Sequence, residues 1–264
     1  MLTTPIVVGL NAWKKSGKDE LCAIIMAEYP NSVCRGFADP VYEEVAKAHG
    51  LQVAELKALK VTGDLVPQAR LALAHCADAK FQDVVYELEF ETWLAKRLST
   101  PEDSTLDCAD AYKSQMRKTF EDEPRSFRRT LQLWGTEYRR HLSSPTYWVG
   151  KMRTFLEAAG QSGVQLVLIN DVRFNNEWDI VEAQVNGVIF RIIREKINLE
   201  MQEAIAKGDT AAVHHSEVEV VNRPAVGIIV NEEGNPAGML PQFELLIQAR
   251  FGDALLRKAK PETV

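Results

Sequence analysis

The sequence contains no run of about 18 uninterrupted apolar residues, which is the length that a membrane-spanning helix requires. Its first residues also lack a basic stretch followed by the apolar core of a secretory signal. We therefore expect a cytoplasmic protein without a membrane partner.

The sequence also contains few cysteines and has no net positive charge. The four cysteines, Cys22, Cys34, Cys76 and Cys108, show no Cys-x-x-Cys spacing, so we expect reduced thiols and no disulfide framework. Lysine and arginine total 31 against 37 acidic residues, which gives a formal charge of −6. Because nucleic-acid-binding proteins usually present a net basic face, this balance argues against a nucleic acid polymer as the main partner.

Short β-branched apolar runs alternate with helical periods at both ends of the chain. The predicted strands are residues 6–10, 32–37, 164–169, 188–193 and 226–230. The predicted helices that follow them are residues 17–28, 39–48, 175–185, 199–207 and 239–256. This alternation predicts an α/β fold, in which a parallel five-stranded sheet has helices on both faces and binds ligands at the carboxyl ends of its strands.

The middle of the chain follows a different pattern. Residues 40–162 show helical periods, broken at Pro101, Pro124 and Pro145, and no convincing strand. With 46% hydrophobic residues the chain can bury a full core. We therefore expect a single domain over residues 1–264, with a core of 1–39 and 163–256 and a large helical insertion between strands 2 and 3.

A lysine-rich loop, Ala12-Trp13-Lys14-Lys15-Ser16-Gly17-Lys18-Asp19, follows the first predicted strand. A Gly-Lys pair at a strand-to-helix junction directs backbone N–H groups and a helix N-terminus at one point, which suits a triphosphate. The loop departs from the usual pattern at Ala12, where glycine is common, and at Asp19, where a Ser or Thr hydroxyl is common. The alternative is a lysine-rich turn before an ordinary helix.

A predicted helix over residues 127–142 has an unusual basic face. At 100° per residue its apolar stripe consists of Phe127, Leu131, Trp134, Tyr138 and Leu142. The other face carries Arg128, Arg129, Arg139 and Arg140 with Gln132, Gly135 and Thr136. Four like charges are unfavourable unless an anion meets them, and the planar guanidinium grips phosphate bidentately. The alternative is a solvated face that pairs with Glu121, Asp122 and Glu123.

Further candidate residues follow the later strands. Asp171, at the carboxyl end of the third predicted strand, is a candidate acid or base partner for magnesium-bound water or for an acceptor oxygen. The alternative is that Asp171 caps the next helix. Arg173 could hold an acceptor phosphate, and Arg194 ends the fourth strand. Residues 195–217 form a candidate lid. Trp148 could stack on a base or close the core.

Six motifs occur in a fixed order from the first strand to the candidate lid. They are Ser16-Gly17-Lys18-Asp19, Phe37-Ala38-Asp39-Pro40, Arg128-Arg129-Thr130-Leu131-Gln132 with Gly135-Thr136-Glu137, Tyr147-Trp148-Val149, Asp171-Val172-Arg173-Phe174 with Asn176-Glu177, and His215-Ser216-Glu217. As a series they resemble the bacteriophage deoxynucleoside monophosphate (dNMP) kinase family, a branch of the P-loop kinases. A phage-encoded chain would act in the host cytoplasm.

The resemblance implies a P-loop kinase-like fold and transfer of the ATP γ-phosphoryl group to a dNMP with Mg²⁺, giving dNDP and ADP for nucleotide precursor supply. It implies ATP binding by Lys14, Lys15, Ser16, Gly17, Lys18, Asp19 and Arg194. It implies dNMP binding by Arg128, Arg129, Gln132, Gly135, Thr136, Trp148, Asp171, Arg173 and Glu177. The implied catalytic residues are Lys18, Asp19, Arg128, Arg129 and Asp171, with Asp19 and Asp171 near the metal, directly or through water.

Three other functions stay open at this level. Gly-Lys-Asp loops also occur in phosphomevalonate kinases, so the acceptor could be another phosphorylated small metabolite. A nucleic-acid-binding P-loop NTPase and a regulatory nucleotide-binding protein without turnover are the other two. The accepted bases, ribose discrimination and the oligomeric state, with a homodimer among the alternatives, also stay open.

Overall fold

A computed structural model describes residues 4–60, 66–98, 109–208, 219–253 and 255. The chain forms two compact units. The sheet unit comprises Met1–Ala38 and Val149–Val264, and the helical unit comprises Asp39–Trp148. Within the described ranges, no helix combines the length and the apolar character needed to cross a membrane.

The regular elements are numbered in chain order. The strands are β1 (Ile6–Ala12), β2 (Ser32–Cys34), β3 (Pro67–Gln68), β4 (Arg125–Ser126), β5 (Leu166–Ile169), β6 (Gly187–Ile193) and β7 (Gly227–Val230). The helices are α1 (Lys18–Glu28), α2 (Asp39–Ala48), α3 (Val53–Ala58), α4 (Ala79–Leu98), α5 (Ala109–Glu121), α6 (Phe127–Gln132), α7 (Tyr147–Gln161), α8 (Asn175–Glu182), α9 (Glu195–Ala206) and α10 (Met239–Phe251).

The sheet unit contains the predicted five-stranded parallel sheet, in the order β2-β5-β1-β6-β7. Strand β1 lies at its centre, where Gly9 is in register with Ile169 on one side and Ile189 on the other. Strand β1 is buried from Ile6 to Leu10. This continuous apolar run is typical of a parallel strand that helices cover on both faces.

Each face of the sheet has its own apolar core. Ile6, Val8 and Leu10 of β1 point to the face where α1 and α10 pack, while Val7 points to the opposite face. The second core includes Trp178 of α8, which is fully buried. The α/β prediction with helices on both faces of a parallel sheet is therefore confirmed.

Several predicted element ends are wrong. Helix α8 ends at Glu182 rather than at residue 185, and α9 begins at Glu195 rather than at residue 199. Two further ends have a visible cause. Strand β2 ends at Cys34 rather than at residue 37. The Arg35 N–H still donates to the Leu168 carbonyl, but the Phe37 and Ala38 N–H groups hydrogen-bond a side chain instead, as described below. Helix α10 ends at Phe251 rather than at residue 256, because Gly252 takes a positive φ of 62° that ends the helical path.

The helical unit contains one feature that the sequence pattern did not predict. Strands β3 and β4 pair antiparallel over two residues each, with Gln68 opposite Arg125. The expectation that residues 40–162 contain no strand is therefore wrong. A two-residue strand shows no alternation of polar and apolar residues, so periodicity gives no signal for it.

The predicted helix over residues 127–142 forms, but its second half is π-helical over Leu133–His141. The i→i+5 hydrogen bonds of a π-helix place more residues in each turn than the 100° spacing assumes. Leu142, predicted in the core stripe but following these turns, is therefore 65% exposed. Leu133, outside that stripe, is 1% exposed because it packs in the core of the helical unit. The predicted stripe is correct for Phe127, Trp134 and Tyr138, which are all buried.

A carboxylate organises the buried polar contacts of the helical unit. Glu44 of α2 accepts hydrogen bonds from Trp134 Nε1 at 3.0 Å, from Arg139 Nε at 2.7 Å and from the Tyr147 hydroxyl at 2.6 Å. The Arg139 guanidinium also lies over the ring of Tyr138, 4.2 Å from its centroid. Arg139 was predicted on the open arginine face, but this ion pair draws it into the packing of the unit.

The pKa values of this cluster reflect its close contacts. Burial alone would raise the pKa of Glu44, but the three hydrogen bonds and the charge of Arg139 outweigh it and hold the pKa below the ordinary value. Burial, followed by the hydrogen bond to Glu44, raises the pKa of Tyr147 to about 12. Glu44 is therefore charged and Tyr147 is neutral at physiological pH.

We predict that Glu44→Gln destabilises the helical unit by about 1.5–3 kcal/mol, because it removes the charged acceptor 2.7 Å from Arg139 Nε and leaves that guanidinium, among the described carboxylates, only Asp78 at 4.0 Å. Thermal unfolding followed by circular dichroism measures the change. Glu91→Gln, at an exposed position of α4, is the matched control and should unfold as the wild type does. Equal melting temperatures for Glu44→Gln and Glu91→Gln would contradict this role of Glu44.

The same carboxylate predicts a pH dependence. Since the pKa of Glu44 in the folded protein lies below its ordinary value of 4.5, the charged form stabilises the fold. This contribution is complete above that ordinary pKa and is lost as the pH falls through the lower folded-state pKa. The stability difference between wild type and Glu44→Gln should therefore shrink below about pH 4.5. Unfolding curves at several pH values measure it, and a difference that grew on acidification would refute the assignment.

Candidate phosphate-binding site

The loop between β1 and α1 has the backbone geometry of an anion-binding turn. Two of its residues have positive φ, Lys15 at 68° and Gly17 at 94°. Gly17 is the N-cap residue of α1 and has no side chain to cap the helix. The first N–H groups of an α-helix have no partners within the helix, so this N-terminus can donate to an oxyanion.

A buried asparagine fixes this loop from the far edge of the sheet. Asn231 follows β7, is 4% exposed, and its Nδ2 donates to the Ser16 carbonyl at 2.9 Å. A Cβ atom on residue 17 would collide with the same amide group. Glycine is therefore required at position 17 both by its positive φ and by its contact with Asn231.

Two side chains of the loop suit a phosphate group. Ser16 is 1% exposed, and its Oγ has no hydrogen-bond partner within the described residues. A buried hydroxyl without a partner is rare in folded proteins, and a phosphate oxygen would satisfy it. Lys18, the first residue of α1, has a side chain that is 16% exposed and adds a positive charge at this point.

Asp19 lies beside the carboxyl end of β5. Its Oδ2 is 3.0 Å from Lys18 Nζ, and its Oδ1 accepts a hydrogen bond from Asn170 Nδ2 at 2.7 Å. The Asp19 side chain is 69% exposed, so its oxygens are open to a ligand. No cluster of three or more His, Cys, Asp or Glu side chains that could hold a metal ion occurs in the part of the chain that the structure describes.

Asp171 holds the segment that follows β2. Its Oδ1 accepts from the Phe37 N–H at 2.6 Å, and its Oδ2 accepts from the Ala38 N–H at 2.9 Å. A Cβ atom on Gly36 would lie 2.8 Å from Asp171 Oδ2, so this close approach requires glycine. These two contacts of Asp171 are therefore with the segment that follows β2. The sequence had left open a cap on the next helix, α8, which is a different part of the chain.

Glu177 holds the turn that leads into α8. It is 2% exposed, and its Oε2 accepts hydrogen bonds from the Arg173 N–H at 3.0 Å and the Phe174 N–H at 3.2 Å. The Glu177 N–H in turn donates to the Phe174 carbonyl oxygen at 3.1 Å, so Glu177 holds the start of the helix through its side chain and its backbone. These contacts show a structural role for Glu177, which was predicted as a substrate ligand.

Two arginines predicted as ligands lie at the carboxyl end of the sheet. Arg194 is the N-cap residue of α9, and its NH1 is 3.4 Å from the Lys15 carbonyl oxygen. Arg173 lines a pocket of about 250 Å³ next to the loop residue Trp13. Within the described residues, the Arg173 guanidinium makes no hydrogen bond or ion pair.

A third arginine in the same pocket has a different role. Arg191 Nε donates to Asn11 Oδ1 at 2.9 Å, and its two terminal nitrogens donate to the backbone carbonyls of Val220, Val221 and Arg223. Burial lowers the pKa of Arg191. Arg191 therefore fixes segment 220–223 to the sheet with all parts of its guanidinium in use.

The arginine-bearing helix of the helical unit presents part of the predicted face. Arg128, Arg129 and Thr136 are exposed, while Gln132 and Gly135 are half-buried. A methyl group on Gly135 would make only ordinary contact with Val41, at 3.8 Å. Gly135 was expected to leave room for a ligand, but this spacing gives that expectation no support.

Trp148, left open between base stacking and core packing, packs in the core. It is 2% exposed, and its Nε1 donates to the Gly135 carbonyl at 2.9 Å. Trp134 is also buried and hydrogen-bonded to Glu44. Of the predicted lid, residues 209–217 with His214, His215, Ser216 and Glu217 lie outside the described residues, and the described part begins with α9.

Sequence reasoning missed Asn231, Asn170 and Trp13 as residues of this site. Asn170 and Asn231 each follow a strand directly, so a polar residue at the carboxyl end of a strand was the available signal. Their partners are 151 and 215 residues away in the chain, which local patterns do not specify. Trp13 lay within the quoted loop, but no role was assigned to it.

We predict that Gly36→Ala destabilises the protein by roughly 1–3 kcal/mol, because the added methyl group displaces Asp171 from the Phe37 and Ala38 N–H groups. Chemical denaturation measures the change. The control is Gly150→Ala in α7, where a Cβ meets no atom within 4 Å and alanine should be neutral or stabilising. Unchanged stability of Gly36→Ala would show that the Asp171 contacts are dispensable.

No protein-family model matches this sequence, and no curated protein is significantly similar to it. The geometry of the loop, its neighbouring side chains and the sequence motifs are therefore the basis for a functional assignment.

Proposed function

We propose that the chain is an ATP-dependent P-loop kinase that transfers the γ-phosphoryl group to a deoxynucleoside monophosphate, giving dNDP and ADP for nucleotide precursor supply. The observation that carries this proposal is the loop between β1 and α1. It combines an uncapped helix N-terminus, two positive φ angles, Lys18 and a buried Ser16 hydroxyl without a partner. Together these groups suit a polyphosphate.

On the donor side, the backbone of residues 14–19 surrounds the phosphates and the Ser16 hydroxyl donates to one of their oxygens. Lys18 neutralises charge on the β- and γ-phosphates. Arg194, which lies at the Lys15 carbonyl, adds a second cation for the donor. These groups stabilise the charge of the transferred group by their positions, with no covalent step by the protein.

Mg²⁺ fits Asp19 by the chemistry of its donor atoms, since carboxylate oxygens are the protein ligands that this ion prefers. The Asp19 carboxylate is exposed beside Lys18 and Asn170. Asp171 is the second candidate, although the Phe37 and Ala38 N–H groups already occupy one position on each of its oxygens. The ion would supply charge neutralisation on the phosphates, and a site with few protein carboxylates is usual for Mg²⁺ bound together with a nucleotide.

On the acceptor side, Arg173 of the sheet unit binds the phosphate of the dNMP, and the family resemblance assigns Arg128 and Arg129 of the helical unit to the same substrate. An oxygen of the dNMP phosphate attacks the γ-phosphorus, the new oxygen–phosphorus bond forms, and the bond to the β-phosphate oxygen breaks as ADP leaves. A phosphate oxygen is already a nucleophile at neutral pH, so the reaction has little need for a strong general base. Asp171 acts here by holding residues 37 and 38 in place.

The second candidate is a P-loop kinase for another phosphorylated small metabolite. The burial of Trp134 and Trp148 favours it, because neither ring is open to stack on an acceptor base. The departures of the loop from the usual sequence, at Ala12 and Asp19, do not distinguish a dNMP acceptor from another phosphorylated acceptor. A survey of acceptors therefore has to separate the two candidates.

We predict that the purified protein releases ADP from ATP and Mg²⁺ in the presence of at least one of the four dNMPs. A coupled ADP-release assay across the dNMPs, the ribonucleotides and non-nucleotide phosphate monoesters measures this. Lys18→Ala and Arg128→Ala should each lower kcat/KM by at least about 100-fold, since each removes charge stabilisation of a phosphate group.

The matched controls are Lys80→Ala and Arg153→Ala, at exposed positions outside the proposed site, which should keep wild-type rates. Turnover confined to non-nucleotide acceptors would favour the second candidate. ATP hydrolysis at the same rate with and without every acceptor would exclude both kinases, and wild-type rates in Lys18→Ala would refute the donor assignment.

A further inference from the structure

We infer that the pocket beside the phosphate loop, residues 14–19, receives the nucleoside part of the acceptor. This pocket is lined by Trp13 and by side chains of α9. This inference rests on the proposed function and specifies where its substrate is recognised. The arginine-bearing helix, α6 and its π-helical continuation, supplied the expected aromatic residues Trp134 and Trp148, but both are buried. The aromatic side chain that adjoins the phosphate loop is Trp13.

The pocket lies entirely within the sheet unit. It has a volume of about 250 Å³ and is bounded by the end of β1, the end of β6, helix α9 and segment 220–223. Its apolar lining comes from Ile192, Ile205, Val221 and Ile228. Ile205 and Ile228 are 41% and 56% exposed, so the pocket leaves apolar surface open to a ligand.

Trp13 is held at the wall of this pocket. Its Nε1 donates to Asn198 Oδ1 at 3.3 Å, which ties the indole to helix α9. Trp13 is directly followed by the lysines of the phosphate loop. A planar ring in the pocket can therefore contact an aromatic side chain while the phosphate joined to it reaches Arg173 in the same lining.

The polar groups of the pocket suit both the phosphate and the base of a nucleotide. The Arg173 guanidinium, which is half-buried and has no partner among the described residues, is available to a phosphate, whereas Arg191 is fully engaged by the protein. Asn198 and Gln202 of α9 present side-chain amides in the same lining. An amide both donates and accepts hydrogen bonds, as the polar edge of a nucleobase does.

The chemistry of the lining therefore favours an aromatic heterocycle joined to a phosphate over a purely aliphatic phosphate ester. Apolar surface, an indole and amide groups would each gain a contact from a base, and Arg173 would gain one from the phosphate. Gln202 is exposed at the rim and is the residue that distinguishes one base from another in this arrangement.

The test compares two substitutions on α9. Ile205→Trp places a bulky side chain into the lining, whereas Leu199→Trp makes a similar change at a position that is 54% exposed and does not line the pocket. We expect Ile205→Trp to raise the KM for the dNMP at least about tenfold, the effect of losing a few contacts. The KM for ATP, the melting temperature and all parameters of Leu199→Trp should stay at wild-type values.

The outcomes separate this inference from the proposed function. Turnover of a dNMP with equal acceptor KM values in Ile205→Trp and Leu199→Trp would overturn the pocket assignment and leave the kinase intact. If no dNMP is phosphorylated, the proposed function is wrong, and calorimetric titration of both variants with dNMPs then decides the pocket. Weaker binding in Ile205→Trp alone would support it, and equal or absent binding would overturn it.

Discussion

The parallel pairing of β1 with β5 on one side and β6 on the other is the constraint on which the candidate site depends. Because parallel strands end at the same edge of a sheet, this pairing fixes three chain segments there. These segments are the phosphate loop after β1, Asn170 and Asp171 after β5, and Arg194 after β6. The sheet thereby brings together residues that are more than 150 positions apart in sequence.

Most polar side chains at this edge hold other parts of the protein. Asp171 binds residues 37 and 38, Glu177 binds the turn before α8, Arg191 binds segment 220–223, and Asn231 binds the Ser16 carbonyl. Buried polar groups that satisfy one another are expected in any stable fold. They therefore carry less information about a ligand than the groups that stay without partners in the described structure, above all the Ser16 hydroxyl and the Arg173 guanidinium.

The sequence was sufficient for the sheet and most of its helices, because β1, β5, β6 and β7 are short and mainly apolar and the helices that flank them have regular periods. It was insufficient where a structure is short or irregular. The two-residue strands β3 and β4 have no period, and after the π-helical turns of Leu133–His141 the 100° spacing no longer places Leu142 in the core stripe.

The predictions for the site residues also divide into those that local sequence identified and those that depend on distant partners. Lys18, Asp19, Arg173 and Arg194 were found from their place after a strand, and the structure brings all four to the carboxyl edge of the sheet. Arg139 and Trp148 were misjudged or left open because their roles depend on partners elsewhere in the helical unit, Glu44 and the Gly135 carbonyl. A helical wheel shows which side a residue faces, but it does not show whether another element packs there.

The free-energy cost of two features of the phosphate loop supports the proposal that this loop binds a ligand. A non-glycine residue with positive φ, such as Lys15, costs roughly 1–3 kcal/mol, and an unsatisfied buried hydroxyl such as Ser16 costs about 1–3 kcal/mol. Both occur in two adjacent residues of one loop. Since an oxyanion bound at the N-terminus of α1 would satisfy the hydroxyl and make use of the strained backbone, phosphate binding gives one physical reason for both features.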